Sequence, residues 1–226
     1  MAVALFAAVF LGFARTYFLR ALFPAFTAHH GAPETIFYVH GTTVALWYVL
    51  LVVQARLVAA RRIDLHRTLG WAGAALAGLM IVLGMHGAIV AARRPGGFMD
   101  IPVPPLQFLV VPFFDMVLFA LFVGLAISQR KNPQAHKRWM LIASIAILTA
   151  AIARWPFGFM ANGGPPMFFG VTDLFLLPLL AWDLYTRRRP HVVTVVGGLL
   201  LVTSQPLRLI LSGTPLWNRF AEWLIG

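Results

Sequence analysis

Four histidines lie within or at the ends of long hydrophobic segments of the sequence, namely His40, His66, His86 and His136. Ionisable side chains cost free energy inside a bilayer, so several of them in apolar segments indicate a function. Imidazole is the commonest metal ligand in proteins and titrates near physiological pH. The chemistry to look for is therefore metal or cofactor binding.

His40 and His86 are predicted at similar depths below the outer membrane surface. At a rise of 1.5 Å per residue, His40 is about 8 Å deep and His86 about 9 Å. A small ion such as copper or zinc could bridge the two helices through these side chains, joined by His29 or His30 from the outer loop. A haem is harder to place there, because close-packed neighbouring helices leave it too little room.

The helix that carries His40 has a polar and aromatic face. His40, Trp47 and Gln54 recur at seven-residue intervals, which keeps them within about 40° of one another on an α-helix. This face is predicted to point into the bundle.

His66 and His136 are predicted at the cytoplasmic starts of two helices, each followed by basic residues. Helices that need not be direct neighbours leave more room for a haem, whose propionates would meet Arg67, Lys137 or Arg138. The alternative is that both histidines lie at the membrane interface and contact lipid phosphates. The sequence leaves both interpretations open.

Charged residues are also predicted in the outer half of the membrane. Arg154 and Asp173 lie at matching depths across a short turn, so we predict an ion pair between them. Asp115 has no obvious local partner, which leaves Arg208, Arg15 or a protonated carboxyl group. A proton or substrate pathway is one interpretation of these residues, and a role in packing and topology is the other.

A break is predicted in the last long hydrophobic segment, which contains Ser204, Gln205 and Pro206 followed by Arg208. Proline removes a backbone hydrogen bond, and exposed polar backbone at membrane depth lines protein or water rather than lipid. The segment is therefore a candidate wall of a binding cavity.

The elements that position these residues are membrane spans. The chain has 226 residues, of which 60% are hydrophobic and 11% charged, and its mean hydropathy is +0.82, unlike a soluble domain. About 20 apolar residues cross a bilayer as a helix. Seven candidates lie near residues 2–20, 35–58, 69–92, 106–128, 138–158, 168–185 and 191–212. The prediction is an all-α bundle of seven transmembrane helices, one domain over residues 1–226, with a short interfacial helix from Leu216 to Ile225.

Basic residues predict the orientation of the bundle. Most of them cluster in alternate loops, which the positive-inside rule assigns to the cytoplasm. The N-terminus is then inside and the C-terminus outside a bacterial cytoplasmic membrane. The net charge of +11 does not indicate nucleic-acid binding, because the basic residues form short clusters between apolar runs.

The composition also excludes several kinds of site. The chain has no cysteine, so any metal must be held by histidine, methionine, carboxylate or backbone oxygen. It contains no phosphate-binding glycine loop, nucleophile elbow or His-Glu-x-x-His zinc motif. Enzymatic activity is left open, and chemistry typical of soluble enzymes is disfavoured.

Five motifs together resemble a bacterial family of multi-pass membrane proteins to which no function is attached. They are Gly12-Phe13-Ala14-Arg15-Thr16-Tyr17, His40-Gly41 with Trp47 and Gln54, Asp64-Leu65-His66-Arg67-x-Leu69-Gly70, His136-Lys137-Arg138-Trp139-Met140, and Ser204-Gln205-Pro206-x-Arg208. The histidine pattern is also distantly similar to membrane proteins that assist haem-copper oxidase assembly and to transmembrane b-type cytochromes. Those cytochromes pair histidines from separated helices, whereas His40 and His86 lie on sequential spans.

Three functions remain open on this basis. In the first, histidines bind haem b or a copper or zinc ion for electron transfer or the maturation of a respiratory complex. In the second, the chain is an accessory subunit of a larger respiratory or photosynthetic membrane complex, and it needs no cofactor. The third is a small transporter. In each case the lipid bilayer is a partner, and cofactor stoichiometry separates the first function from the second.

Overall fold

The computed structural model describes residues 1–99 and 101–226, apart from the side chains of Thr27, His30, Ala161 and Asn162. Every regular element in these ranges is helical. The helices are α1 (Ala2–Phe13), α2 (Pro24–His30), α3 (Thr35–Ala59), α4 (Ile63–Arg93), α5 (Pro105–Ser128), α6 (Pro133–Ile152), α7 (Gly163–Arg187), α8 (Val192–Ser212) and α9 (Pro215–Ile225).

Six of these helices, α3 to α8, are long and apolar enough to cross a membrane. The shortest, α6, has 20 residues and is about 30 Å long, which matches the hydrocarbon core of a bilayer. The segment predicted as the first span forms a shorter apolar helix, Ala2–Phe18. The chain is thus an all-helical bundle of membrane-embedded type. We call the end with the turns at 60–62, 129–132 and 188–191 the basic end.

The start of α6 shows why hydropathy placed some helix ends wrongly. The predicted fifth span was 138–158, but α6 begins at Pro133. The side chain of Asn132 accepts hydrogen bonds from the backbone N–H groups of Gln134 and Ala135, at 3.1 and 3.2 Å. A capping side chain and proline in the first turn start a helix whatever its polarity. The polar first turn therefore escapes a search for apolar residues.

A buried ion pair joins α6, α7 and α8 near the basic end. Arg138 and Asp183 are both fully buried, and Nε of Arg138 donates to Oδ1 of Asp183 at 3.0 Å, while Nη2 contacts the same carboxylate. Oδ2 of Asp183 accepts from the Thr194 hydroxyl at 2.5 Å and from the backbone N–H of His191 at 3.0 Å. Each charge therefore has both an opposite charge and hydrogen bonds, as buried ions require.

A second buried ion pair joins α8 to α5. Nη1 of Arg208 donates to Oδ1 of Asp115 at 2.5 Å, and Nη2 donates to the Ser204 hydroxyl at 2.9 Å. Arg208 and Asp115 are 2% and 5% exposed. Of the partners that the sequence left open for Asp115, the structure selects Arg208.

The predicted break in the last long segment is wrong. Helix α8 is continuous through Pro206. Proline removes only one ladder hydrogen bond, and neighbouring helices can compensate for it inside a membrane protein. The polar side chains nevertheless point inward, since Gln205 is buried and its Nε2 donates to Oδ1 of Asp173 on α7 at 2.7 Å.

The predicted C-terminal helix is present as α9, and it packs on the bundle. Nε1 of Trp217 donates to the backbone oxygen of Leu106 at 2.8 Å, and Nε of Arg93 donates to that of Ile225 at 2.6 Å. Trp217 is buried, so its ring packs against protein. The position of α9 at a membrane interface stays a prediction.

Replacing Arg138 with methionine should leave the Asp183 carboxylate buried without its counter-charge. We expect the free energy of unfolding in detergent to fall by about 3–5 kcal/mol. The double variant Arg138→Met with Asp183→Leu should lose less than the two single variants added together, because neither charge remains. Arg130→Met, at an exposed position of the same turn, is the control and should change it by about 0.5 kcal/mol or less. Additive losses would show that the pair is not coupled.

The cap of α8 predicts a dependence of stability on pH. Nδ1 of His191 accepts the backbone N–H of Val193 at 3.1 Å, and burial together with the nearby charge of Arg138 lowers the pKa of His191. Folding therefore favours the neutral ring, so its contribution is present above the ordinary pKa near 6.5 and is lost as the pH falls below it. His191→Asn keeps a capping acceptor and does not titrate. Unfolding measured from pH 7.5 to 5 should destabilise the wild type more than this variant, and parallel profiles would contradict the assignment.

Candidate functional site

His66 and His136 lie together near the basic end of the bundle. Their ring centroids are 6.3 Å apart and the ring planes are nearly perpendicular, at 84°. His66 lies in the first turn of α4, and His136 in the first turn of α6. Gln54 of α3 donates from Nε2 to the backbone oxygen of His66 at 3.3 Å. Two histidines from non-consecutive helices are thus brought together.

The hydrogen bonds of the two rings are not equivalent. Nδ1 of His136 is 2.8 Å from the backbone oxygen of Ala126, and since a carbonyl oxygen can only accept, Nδ1 carries the proton. In the neutral ring, Nε2 then has the lone pair. Nδ1 of His66 is buried and has no hydrogen-bond partner among the described residues. A histidine held through one nitrogen with the other available is the usual arrangement of a metal ligand.

Two imidazoles are the protein ligands that this site offers. Among the described residues, no group of three or more His, Asp or Glu side chains comes together to hold a metal ion. A closed four-coordinate zinc site is therefore not formed by these residues. Two imidazoles suit a metal that completes its coordination with other ligands, such as the iron of a haem or a copper ion.

The structure changes the roles of the basic residues predicted at this site. Arg138 is fully buried, and besides Asp183 it binds Gln134, to whose backbone oxygen Nη1 donates at 2.7 Å. Its guanidinium therefore holds helices together and has no donor left over for a haem propionate. Arg67 and Lys137 are exposed, so they are the basic side chains near the pair that can meet an anionic group.

The two outer histidines do not form a matching pair. The ring of His40 packs against Gly84 of α4, where an added Cβ would lie 3.2 Å from its Cε1. His86 is two residues further along α4, about 200° around the helix, and it is exposed. The structure therefore gives no support for an ion held between His40 and His86. His29 is an exposed residue of α2, and the side chain of His30 lies outside the described ones.

Arg154 and Asp173 have other partners among the described contacts. Nη1 of Arg154 donates to the backbone oxygen of Ala150 at 2.7 Å, and its guanidinium lies over the ring of Phe13. Asp173 accepts from Gln205. The predicted ion pair between them is not among the salt bridges of the described residues, which join Arg94 to Glu34 and form the two buried pairs above.

The inward-facing surface predicted on α3 is confirmed. Trp47 is 2% exposed and donates from Nε1 to the hydroxyl of Ser144 at 3.1 Å, and the hydroxyl of Tyr48 donates to the backbone oxygen of Ser144 at 2.6 Å. His40 and Gln54 extend this surface towards the two ends of the helix. α3 therefore connects the inner histidine pair with a cavity at the other end.

That cavity has a volume of about 460 Å³ and lies between α1, α3, α4, α5 and α6 at the end opposite the basic end. Most of its lining is apolar, and His40, Thr16 and Asp115 supply polar groups. Sequence reasoning placed His40 there but missed Thr16 and the cavity itself. The available signal was the run of small residues on α4, Gly84, Gly87, Ala88 and Ala91, which all line the cavity.

Comparison with protein-family models, with curated proteins and with solved structures found no match for this chain. The resemblances drawn from its motifs therefore stay expectations. The function is argued below from the geometry of the two histidine-containing regions.

Proposed function

We propose that the protein binds one metal centre between His66 and His136 and serves in electron transfer or in the maturation of a respiratory complex. The separation of the two rings carries this proposal. A metal–imidazole bond is about 2 Å long and the nitrogen lies about 1 Å from the ring centre, so two imidazoles on opposite sides of one metal have centroids about 6 Å apart. The observed value is 6.3 Å.

The surroundings of the two rings support the same proposal. The bond from His136 to the Ala126 oxygen orients its ring and makes Nε2 the better ligand, which is the usual function of a second contact at a metal site. His66 has a buried ring nitrogen that no described residue satisfies. A buried polar atom without a partner is costly, and a ligand would remove that cost.

The metal centre is haem iron or a single copper ion. Both accept imidazole nitrogen, and either would supply one-electron chemistry when bound. The chain contributes the two ligands and their orientation, and exposed Arg67 and Lys137 lie where an anionic group would be neutralised. A zinc ion is disfavoured because it takes three or four protein ligands.

The test is the metal content of the full chain purified in mild detergent after expression with added haem or copper. Visible absorption reports haem, and mass spectrometry gives iron, copper and zinc per chain. We expect about one metal per chain in the wild type and less than about a tenth of that in His66→Ala and in His136→Ala, since one imidazole cannot hold the centre.

His86→Ala is the matched control, because it removes a histidine from the same helix, α4, at an exposed position. It should retain the wild-type metal content. A metal content that is unchanged in both site variants would overturn the assignment of the ligands. A wild-type chain free of haem and metal after such expression would overturn the proposal and favour the accessory-subunit alternative.

We also propose that Ala2–Phe18 makes a seventh span and that the protein lies in a bacterial cytoplasmic membrane with its basic end inside. Three turns rich in arginine and lysine lie at that end, which is the pattern of cytoplasmic loops. An odd number of spans puts the two termini on opposite sides, with the C-terminus outside.

Reporter fusions test this orientation. Alkaline phosphatase is active only outside the cytoplasmic membrane, and green fluorescent protein exported in unfolded form fluoresces only inside. We expect phosphatase activity when the reporter follows Gly226 and fluorescence when it follows Arg130 in the turn after α5. The reverse pattern would invert the orientation, and fluorescence from both fusions would contradict the proposed positions of the spans.

A further inference from the structure

We propose that the cavity opposite the basic end binds a neutral, lipophilic ring compound that carries ring oxygens, the chemistry of a quinone or a quinol. This site is separate from the metal site and does not depend on it. Its volume of about 460 Å³ is within the range of small-molecule pockets.

The lining of the cavity favours a lipophilic ring. Aromatic residues of four different helices surround it, among them Phe13, Phe37, Phe108 and Phe168. Aromatic side chains stack on flat rings, and such contacts contribute beyond the apolar area they bury. A molecule of this kind can reach the cavity from the membrane, in which it dissolves.

The unsatisfied polar groups of the cavity favour ring oxygens. The imidazole of His40 makes no hydrogen bond to a described residue, and its Nδ1 is buried. The hydroxyl oxygen of Thr16 is likewise buried without a partner. Both residues line the cavity. Because buried polar groups are normally paired, a ligand with acceptor or donor oxygens would satisfy groups that the protein leaves open.

The charged groups of the cavity favour a neutral ligand. Asp115 is paired with Arg208, and Arg94 with Glu34 at 2.8 Å. Arg154 already donates to the backbone oxygen of Ala150. An anionic or cationic ligand would have to compete with these contacts, whereas a neutral ring compound with oxygens would not.

Glycine 87 gives a way to fill the cavity without breaking the bundle. A Cβ built on Gly87 meets only Cε1 of Phe37, at 3.8 Å, which is ordinary van der Waals contact. At Gly84 the same atom would lie 2.4 Å from Sδ of Met116. Gly78, on the same helix, is exposed and has nothing within 4 Å of an added Cβ, so Gly78→Leu is the matched control for Gly87→Leu.

The experiment measures binding of two probes that differ only in their oxygens, 2-methyl-1,4-naphthoquinone and 2-methylnaphthalene. The full chain is reconstituted in lipid nanodiscs, and equilibrium dialysis against empty nanodiscs gives the probe bound per chain. We expect saturable binding of about one naphthoquinone per chain and binding of the hydrocarbon at least about tenfold weaker, since it leaves the polar groups unpaired.

The variants locate the site. Gly87→Leu and His40→Ala should weaken naphthoquinone binding about tenfold or more, whereas Gly78→Leu and His86→Ala should bind as the wild type does. Gly87→Ala should fall between, and circular dichroism shows that each variant is folded. Equal binding of the two probes, no saturable binding to the wild type, or full binding by folded Gly87→Leu would each overturn the proposal. Metal content should stay unchanged in Gly87→Leu, which separates this test from that of the metal site.

Discussion

A charge inside a membrane-embedded bundle is costly unless an opposite charge and several hydrogen bonds accompany it, and this constraint determines how α8 is held. Arg138 and Asp183 tie its first turn to α6 and α7, and Arg208 and Asp115 tie its last turns to α5. Apolar packing alone gives helices in lipid little preference for one rotation over another. The two pairs fix both the rotation and the height of α8, so the positions of α5, α6 and α7 depend on them.

The polar groups inside the bundle divide into those that the protein satisfies and those that it does not. The carboxylate of Asp183 accepts hydrogen bonds from three residues, and nothing about it requires a ligand. His66 and His40 each keep a buried ring nitrogen without a partner. Since buried polar atoms are normally paired, the second group is where bound molecules are expected. This contrast, more than the number of histidines, supports the two proposed sites.

The two sites lie towards opposite ends of α3. Gln54 contacts His66 near the basic end, and His40 lies 14 residues earlier, about 21 Å away along the helix. Between them, Trp47 and Tyr48 are hydrogen-bonded to Ser144 and leave a packed core. The inner site consists of donor nitrogens from two helices, whereas the outer one is a space left by glycine and alanine on α4.

The sequence by itself determined the helical class, the membrane setting and the approximate extents of α3 to α8, because these follow from the hydropathy of each segment taken alone. It also placed His66 and His136 at the same end. The tertiary structure decided which polar residues meet. Arg208 is 93 residues from Asp115 and Arg138 is 45 from Asp183, so no local pattern could pair them. It also turned His86 away from His40, because the facing side of a helix depends on its rotation in the bundle, which the packing of its neighbours sets.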